Sequence, residues 1–222
     1  MFYCPSMMCS DFANLKAEVE KLDAAGADTF HIDIMDGCFV PNFGMGIQDL
    51  AAIRQYTNKP LDVHLMIANP AEYVEMFADL GADIIYIHPE SDRQGTRTLE
   101  KITNKGKKAG IAINPGTSIA QIEELLPLAA YVMVMTVNPG FAGQKYLSFV
   151  NDKIAKLVQL KKRYNYQVMI DGAVSETVMK DLTAIGVDGF VLGTSALFNK
   201  SKSYEELFIG FRKLEEEGEK CV

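Results

Sequence analysis

Apolar and polar positions along this chain fall into a repeating phrase. A stretch with apolar residues at helical spacing leads into a turn of the form Gly-Ala-Asp or Gly-Val-Asp, and a short run rich in β-branched and aromatic residues follows. The phrase occurs at Gly26-Ala27-Asp28, Gly81-Ala82-Asp83 and Gly186-Val187-Asp188. Glycine stops a helix by taking a left-handed conformation past its C-terminus, so each phrase marks a helix-to-strand junction. The separations, 55 residues from 26 to 81 and 105 from 81 to 186, are close to two and four units of about 27 residues, a suitable length for one strand and one helix with their loops. Strands are predicted at 2–5, 29–34, 61–65, 84–88, 109–114, 131–136, 167–170 and 189–192. Amphipathic helical patterns lie between them, as at 12–25, 71–80, 119–126, 151–164 and 176–185.

Strict β-α alternation argues for a parallel sheet in an α/β protein, and eight repeats favour a closed (β/α)8 TIM barrel forming a single domain over residues 1–222. The alternative is an open doubly wound sheet. No Gly-x-Gly-x-x-Gly opens a helix after the first strand, which weakens a dinucleotide-binding reading. The 22 basic residues stand against 29 acidic ones for a formal net charge of −7. That balance repels phosphate backbones, so nucleic acid is excluded as a partner and any phosphate must be held by local geometry. The longest apolar run, 129–135, is far shorter than a membrane span, and the N-terminus lacks the basic and apolar blocks of a signal peptide, so a cytoplasmic protein without membrane contact is expected. Cys4, Cys9, Cys38 and Cys221 show no metal or redox spacing and are expected as free thiols.

Candidate chemistry gathers where the predicted strands end, the face of such a barrel that carries active sites. The chain has three histidines. In 31–37, alternation puts His31, Asp33 and Met35 on one face, and in 61–66 it does the same for Asp62, His64 and Met66. The first strand ends in Ser6, the fourth in His88 and Glu90, the fifth in Asn114, the sixth in Thr136 and Asn138, and the seventh in Asp171. His31, Asp33, His64 and Asp171 suit a borderline divalent metal with positions left for two substrate oxygens. Asp33 and Asp171 would reach the barrel mouth from different sides, so one could remove a proton from one face of a carbon while the other returns it to the opposite face. The ordinary alternatives for an aspartate are a helix cap or a salt bridge, and Asp36 and Asp62 are assigned such roles.

Two glycine-bearing segments, 138–144 and Gly193-Thr194-Ser195, could bring backbone N–H groups close to an anion, with Gly172-Ala173 adding to them. A helix beginning after the eighth strand would contribute its positive end. The alternative is an ordinary turn. Met35, Met66 and Met135 near the strand ends read as core filler or as a cover that keeps water from a carbanion-like intermediate. Glu215-Glu216-Glu217 reads as a solvated helix face or a frayed end.

Pro5-Ser6, Asp11-Phe12-Ala13-Asn14-Leu15, His31-Ile32-Asp33-Ile34-Met35-Asp36-Gly37, Phe39-Val40-Pro41-Asn42, Leu61-Asp62-Val63-His64-Leu65-Met66 and Val137-Asn138-Pro139-Gly140-Phe141 together resemble the ribulose-phosphate 3-epimerase family along nearly the whole chain. The resemblance implies a (β/α)8 barrel and one divalent metal ion at His31, Asp33, His64 and Asp171, usually zinc, with iron, manganese or cobalt as alternatives. It implies epimerisation at C3 of a phosphorylated ketose with Asp33 and Asp171 as the acid/base pair. It further implies substrate contact by Ser6 and His64 and a methionine cap from Met35, Met66 and Met135. Phosphate contacts are implied at Gly140, Phe141, Ala142 and Gly143, at Gly172 and Ala173, and at Gly193, Thr194 and Ser195, and the protein is implied to be a homo-oligomer.

Enzymes of the family that act on D-ribulose 5-phosphate tend to read Ser-Ile-Leu-Ser-Ala-Asp, Met-Ser-Val-Asn-Pro-Gly-Phe-Gly-Gly, Asp-Gly-Gly and Gly-Ser-Ala. Here the matching stretches are 6–11, 135–143, 171–173 and 193–199, with Cys9, Thr136, Ala142, Ala173 and Thr194 among the departures. With His88-Pro89-Glu90 they resemble the D-allulose-6-phosphate 3-epimerase branch, so interconversion of D-allulose 6-phosphate and D-fructose 6-phosphate is the expected reaction. The D-ribulose 5-phosphate reaction is the alternative. A metal-dependent sugar-phosphate lyase or decarboxylase is a more distant one, since the same enediolate can also break a carbon–carbon bond. A non-catalytic sugar-phosphate sensor would not need both carboxylates.

Overall fold

The computed structural model describes residues 1–219 and places all eight predicted strands in one parallel sheet. The strands are β1 (Phe2–Pro5), β2 (Phe30–Met35), β3 (Leu61–Met66), β4 (Ile84–Ile87), β5 (Lys108–Ile113), β6 (Tyr131–Met135), β7 (Gln167–Asp171) and β8 (Gly189–Leu192). Their order, β1-β8-β7-β6-β5-β4-β3-β2, leaves β1 and β2 as the two ends of the sheet. Among the described residues one bridge, between Ser6 and His31, joins those ends into a ring. The open-sheet alternative is thereby set aside.

Helices α1 (Leu15–Ala25), α2 (Ile47–Tyr56), α3 (Val74–Asp79), α4 (Gly95–Asn104), α5 (Asn151–Tyr164), α6 (Glu176–Ala184) and α7 (Tyr204–Glu219) complete the described elements together with short 3-10 turns. The helix expected at 119–126 is instead two 3-10 stretches, Ile119–Gln121 and Glu123–Leu128. Pro127 lies within the second; it has no N–H to donate and its ring crowds the preceding turn, so a regular helix cannot form there. The helix expected directly after the eighth strand is also absent. Residues 194–199 form turns closed on the Gly193 carbonyl, and α7 starts only at Tyr204. Glu215 is not solvated as expected: it pairs with the Met1 ammonium at 2.6 Å and lies 3.5 Å from Arg212. Cys4, Cys9 and Cys38 are free thiols, and Cys221 lies outside the described residues.

Strand alternation sorts side chains into two layers. Phe30, Ile32, Val63, Leu65, Ile111, Val132, Val168 and Ile170 point outward into the main apolar core beneath the helices. Cys4, Tyr86, Ala112, Met133, Met135, Met169 and Val191 fill the inside of the ring. Gly110 stands opposite Tyr86 in the ladder, and any β-carbon at Gly110 would collide with the Tyr86 ring. The missing side chain therefore leaves room for a tyrosine in the barrel interior.

The repeated Gly-x-Asp phrase has a single structural use. Gly26, Gly81 and Gly186 have φ of 103°, 103° and 95° and end their helices in the left-handed region that glycine tolerates. The aspartate two residues on then grips the start of the preceding strand. Asp28 N–H donates to the Tyr3 carbonyl at 3.0 Å while its carboxylate accepts from Tyr3 N–H at 2.9 Å. Asp83 does the same to Leu61 at 2.8 and 3.0 Å, and Asp188 to Val168 at 2.9 and 2.7 Å. A basic side chain from a helix closes each grip: Arg212 on Asp28 at 2.7 Å, Arg54 on Asp83 at 3.1 Å and Lys161 on Asp188 at 2.7 Å.

Candidate active site

At the opposite end of the strands, register brings the polar residues together. In the β2–β3 ladder His31 stands beside Asp62, Asp33 beside His64 and Met35 beside Met66, while Met135 of β6 stands beside Asp171 of β7. His31, Asp33 and His64 are almost wholly buried, and the Asp171 side chain is 15% exposed. Each of the four offers one donor atom, and all four atoms lie within 4.8 Å of one another.

Those donors fit a divalent cation. His31 Nε2 lies 3.3 Å from Asp33 Oδ1 and 3.9 Å from Asp171 Oδ2, and His64 Nδ1 lies 3.4 and 3.6 Å from the same two oxygens. Tetrahedral donors about 2.0–2.2 Å from a metal are separated by about 3.3–3.6 Å. Both imidazole nitrogens are buried without a hydrogen-bond partner, a costly state for a polar atom unless a ligand uses it. The remaining ring nitrogens are engaged. His31 Nδ1 is 2.6 Å from Asp62 Oδ1, and His64 Nε2 is 2.8 Å from His88 Nε2. A carboxylate can only accept, so the proton of a neutral His31 is on Nδ1 and Nε2 is left bare for a metal.

The electrostatics drive the two rim aspartates apart. Burial works to raise the Asp33 carboxyl, but the charge and hydrogen bonding of His31 and His64 override it and hold Asp33 well below the ordinary carboxylate range. Ser6 Oγ also donates to Asp33 Oδ2 at 2.7 Å. Burial, reinforced by the Asp33 charge, pushes Asp171 up to about 6. For His31, burial opposes the charged form, and Asp62 and Asp33 outweigh it, raising the group well above the usual histidine range. Two neighbouring carboxyls with opposed acidities are the arrangement that supplies one base and, near pH 6, one acid.

A cleft opens above this cluster. Ser6, Asp33 and Asp171 line it together with Met35, Met66 and Met135, and its far wall carries Gly140, Phe141, Ala142, Gly143, Gly172, Ala173, Gly193, Thr194 and Ser195. The predicted site residues thus meet at one place, where His31 and His64, which have no exposed surface, take part through the nitrogens they turn to Asp33 and Asp171. Phe141 is 49% exposed at the rim. Among the described residues, the N–H groups of Ala173, Thr194 and Ser195 make no backbone hydrogen bond. Ala173 is held at φ 50°, unusual for a residue with a side chain.

Several participants were given no part in holding the cation or substrate by the sequence. Met8 and Cys9 also line the cleft, and only folding of the turn after β1 brings them there. Asp62, expected in a modest salt bridge, is a fully buried carboxylate that orients His31. Asp36 does play the modest part expected, its carboxylate accepting from the N–H groups of Cys38, Phe39 and Ala68.

Comparison with known proteins agrees with this geometry. A model of the Ribulose-phosphate 3 epimerase family matches residues 3–198. The chain is similar to a ribulose-phosphate 3-epimerase of Rhodobacter capsulatus, 40% identical over 204 residues covering 92% of this chain and 89% of that protein. One from Synechocystis is 41% identical over 212 residues, covering 94% and 91%. Among solved structures, 3-hexulose-6-phosphate synthase from Salmonella typhimurium superposes with a TM-score of 0.74 at 14% identity, over 98% of this chain and all of that one. A 3-keto-L-gulonate-6-phosphate decarboxylase from Vibrio cholerae also gives 0.74, at 12% identity, over 98% and 97%. These two likenesses speak to the barrel alone. On the family model and the sequence relatives, this chain belongs to the ribulose-phosphate 3-epimerase family and is an epimerase acting on carbohydrate phosphates.

Proposed function

We propose that this protein inverts C3 of D-ribulose 5-phosphate to give D-xylulose 5-phosphate, and the reverse, with Asp33 and Asp171 as the two proton-transfer groups. The observation that carries the reading is this pair of carboxyls at the rim of one cleft, one held ionised and the other raised to about 6. The five-carbon substrate is supported by the relatives that are about 40% identical.

With one epimer, ionised Asp33 takes the C3 proton and the C–H electron pair passes into the enediolate of the substrate. Protonated Asp171 then donates to the opposite face of C3, so the proton count of the site is unchanged, and the return reaction exchanges the roles. Ser6, donating to Asp33 Oδ2, holds that carboxylate in place. His31 Nε2, His64 Nδ1, Asp33 Oδ1 and Asp171 Oδ2 would hold a divalent cation, which offsets the negative charge that builds on the substrate oxygens as C3 is deprotonated. The buried methionines 35, 66 and 135 keep water from the carbanionic carbon. The N–H groups of Ala173 and Ser195, which make no backbone hydrogen bond, receive the phosphate without a basic side chain.

A second reading is the six-carbon reaction between D-allulose 6-phosphate and D-fructose 6-phosphate. It is favoured by the cleft wall, where Cys9, Ala142, Ala173 and Thr194 depart from the five-carbon pattern. Incubation of metal-loaded protein with each sugar phosphate in deuterated water, followed by NMR, separates the readings. Deuterium at C3 and conversion to D-xylulose 5-phosphate are expected with D-ribulose 5-phosphate. Faster turnover of D-allulose 6-phosphate would favour the six-carbon reading, and absence of C3 exchange with either sugar would remove both. Asp171→Asn, with fold and metal content verified, is expected to lower turnover by about 10²–10⁴-fold; near-normal rates would count against its role.

A further inference from the structure

Behind the cleft, a line of buried polar groups leads away from the four donors and is not used by the proton transfers above. His64 Nε2 lies 2.8 Å from His88 Nε2, and the two rings are stacked with centroids 5.0 Å apart and planes inclined by 24°. His88 Nδ1 faces Glu90 Oε2 at 3.4 Å, a long separation for a hydrogen bond but one that a small rotation of either side chain closes. Glu90 is anchored in turn, its Oε1 accepting from Asn114 N–H at 2.9 Å and from the Thr117 hydroxyl. Phe39 packs on the other side of His88, centroid to centroid at 4.8 Å. Both histidines are fully buried, while the Glu90 side chain is partly exposed.

We infer that His88 and Glu90 are positioning residues for the four-donor centre: through His88, the Glu90 carboxylate dictates which nitrogen of His64 is bare. A carboxylate only accepts, so His88 carries its proton on Nδ1 and presents an unprotonated Nε2 to His64. That nitrogen can only accept as well, so His64 carries its proton on Nε2. Its Nδ1 is left as a lone pair facing Asp33 Oδ1 and Asp171 Oδ2 at 3.4 and 3.6 Å. The opposite arrangement, with His88 protonated on Nε2, would turn two lone-pair-bearing groups toward each other at Glu90 and put a proton where the cation belongs. His31 is set by a carboxylate directly, through Asp62, and His64 by a carboxylate one imidazole further away. The inference rests on the metal reading of His31, Asp33, His64 and Asp171.

Nitrogen-15 NMR of the metal-free and zinc-loaded protein at mildly alkaline pH tests the proton order without any assay of turnover. His88 protonated on Nδ1 and His64 on Nε2 in both forms is expected, and a His88 proton on Nε2 would overturn the inference. The second arm is titration with Co(II), read by its visible absorption. His88→Leu is expected to weaken binding by about 10–100-fold. His88→Gln, whose amide oxygen can accept from His64 Nε2–H while its amide nitrogen donates toward Glu90, is expected to restore most of that loss. Unchanged affinity in a folded His88→Leu protein, or equal losses in both variants, would reduce His88 to a space-filling ring and sink the inference. Should His88→Leu not fold, the proton order in the unaltered protein decides. Failure of the unaltered protein to bind Co(II) at all would instead remove the metal reading of the four donors.

Discussion

His31 illustrates how much one residue can be made to do by its neighbours. It lies between Asp62 at 2.6 Å and Asp33 at 3.3 Å, and these two charges outweigh burial and raise its affinity for a proton well above the usual histidine range. That raised affinity favours a proton on Nε2 in the metal-free protein, and entry of a cation there must displace it. Zinc binding at neutral pH is therefore expected to release at least one proton. Calorimetry in buffers of different ionisation enthalpy measures the count, and binding without proton release would contradict the assignment. The four donors were legible in the sequence because alternation along a strand reveals which residues share a face. The orienting groups were not, since Asp62 and His88 acquire their roles from register between strands and from ring stacking across them.

The recurring elements are the strand starts. Asp28, Asp83 and Asp188 each give one residue of a strand both an N–H donor and a carboxylate acceptor, and each is held by an Arg or Lys from a helix. The repeat visible in the sequence is thus a fastening of helix to strand at the end of the barrel away from the cleft, where residues serve stability rather than chemistry. Asp188→Ala strips an acceptor from Val168 N–H and a partner from Lys161, and is expected to cost about 1–3 kcal/mol. A thermal melt should show it as a lower midpoint with turnover at saturating substrate retained; loss of turnover in the folded variant would contradict this division of labour. Three strands, β2, β4 and β8, were readable as short apolar runs after Gly-x-Asp turns, and the other five as runs of the same kind that fill the gaps between them. Helices were less so: α2 has a weakly sided pattern, the buried face of α4 carries only Leu99 and Ile102 as large apolar residues, and at 119–126 the spacing suggested a helix that Pro127 prevents.

At the scale of the molecule, the ring is not uniform. Seven of its neighbouring strand pairs are joined by ladders, while β1 and β2 have none and are joined by the Ser6–His31 bridge, the Tyr3–Asp28 pair and the Ser6–Asp33 hydrogen bond. The four donors come from β2, β3 and β7, and β8 and β1 lie between β7 and β2 in the ring. A cation held by them at a free concentration of about 100 times its dissociation constant stabilises the closed state by about 2.7 kcal/mol. Hydrogen exchange is expected to slow on zinc addition most strongly at residues 5–7 and 31–33, and less at the β4–β5 ladder. Uniform protection around the ring would argue against a local effect. An ion held there would tie β2 and β3 to β7 across the one seam of the ring that carries no ladder. The same rim then sets both the reach of the two proton-transfer groups and the circumference of the barrel.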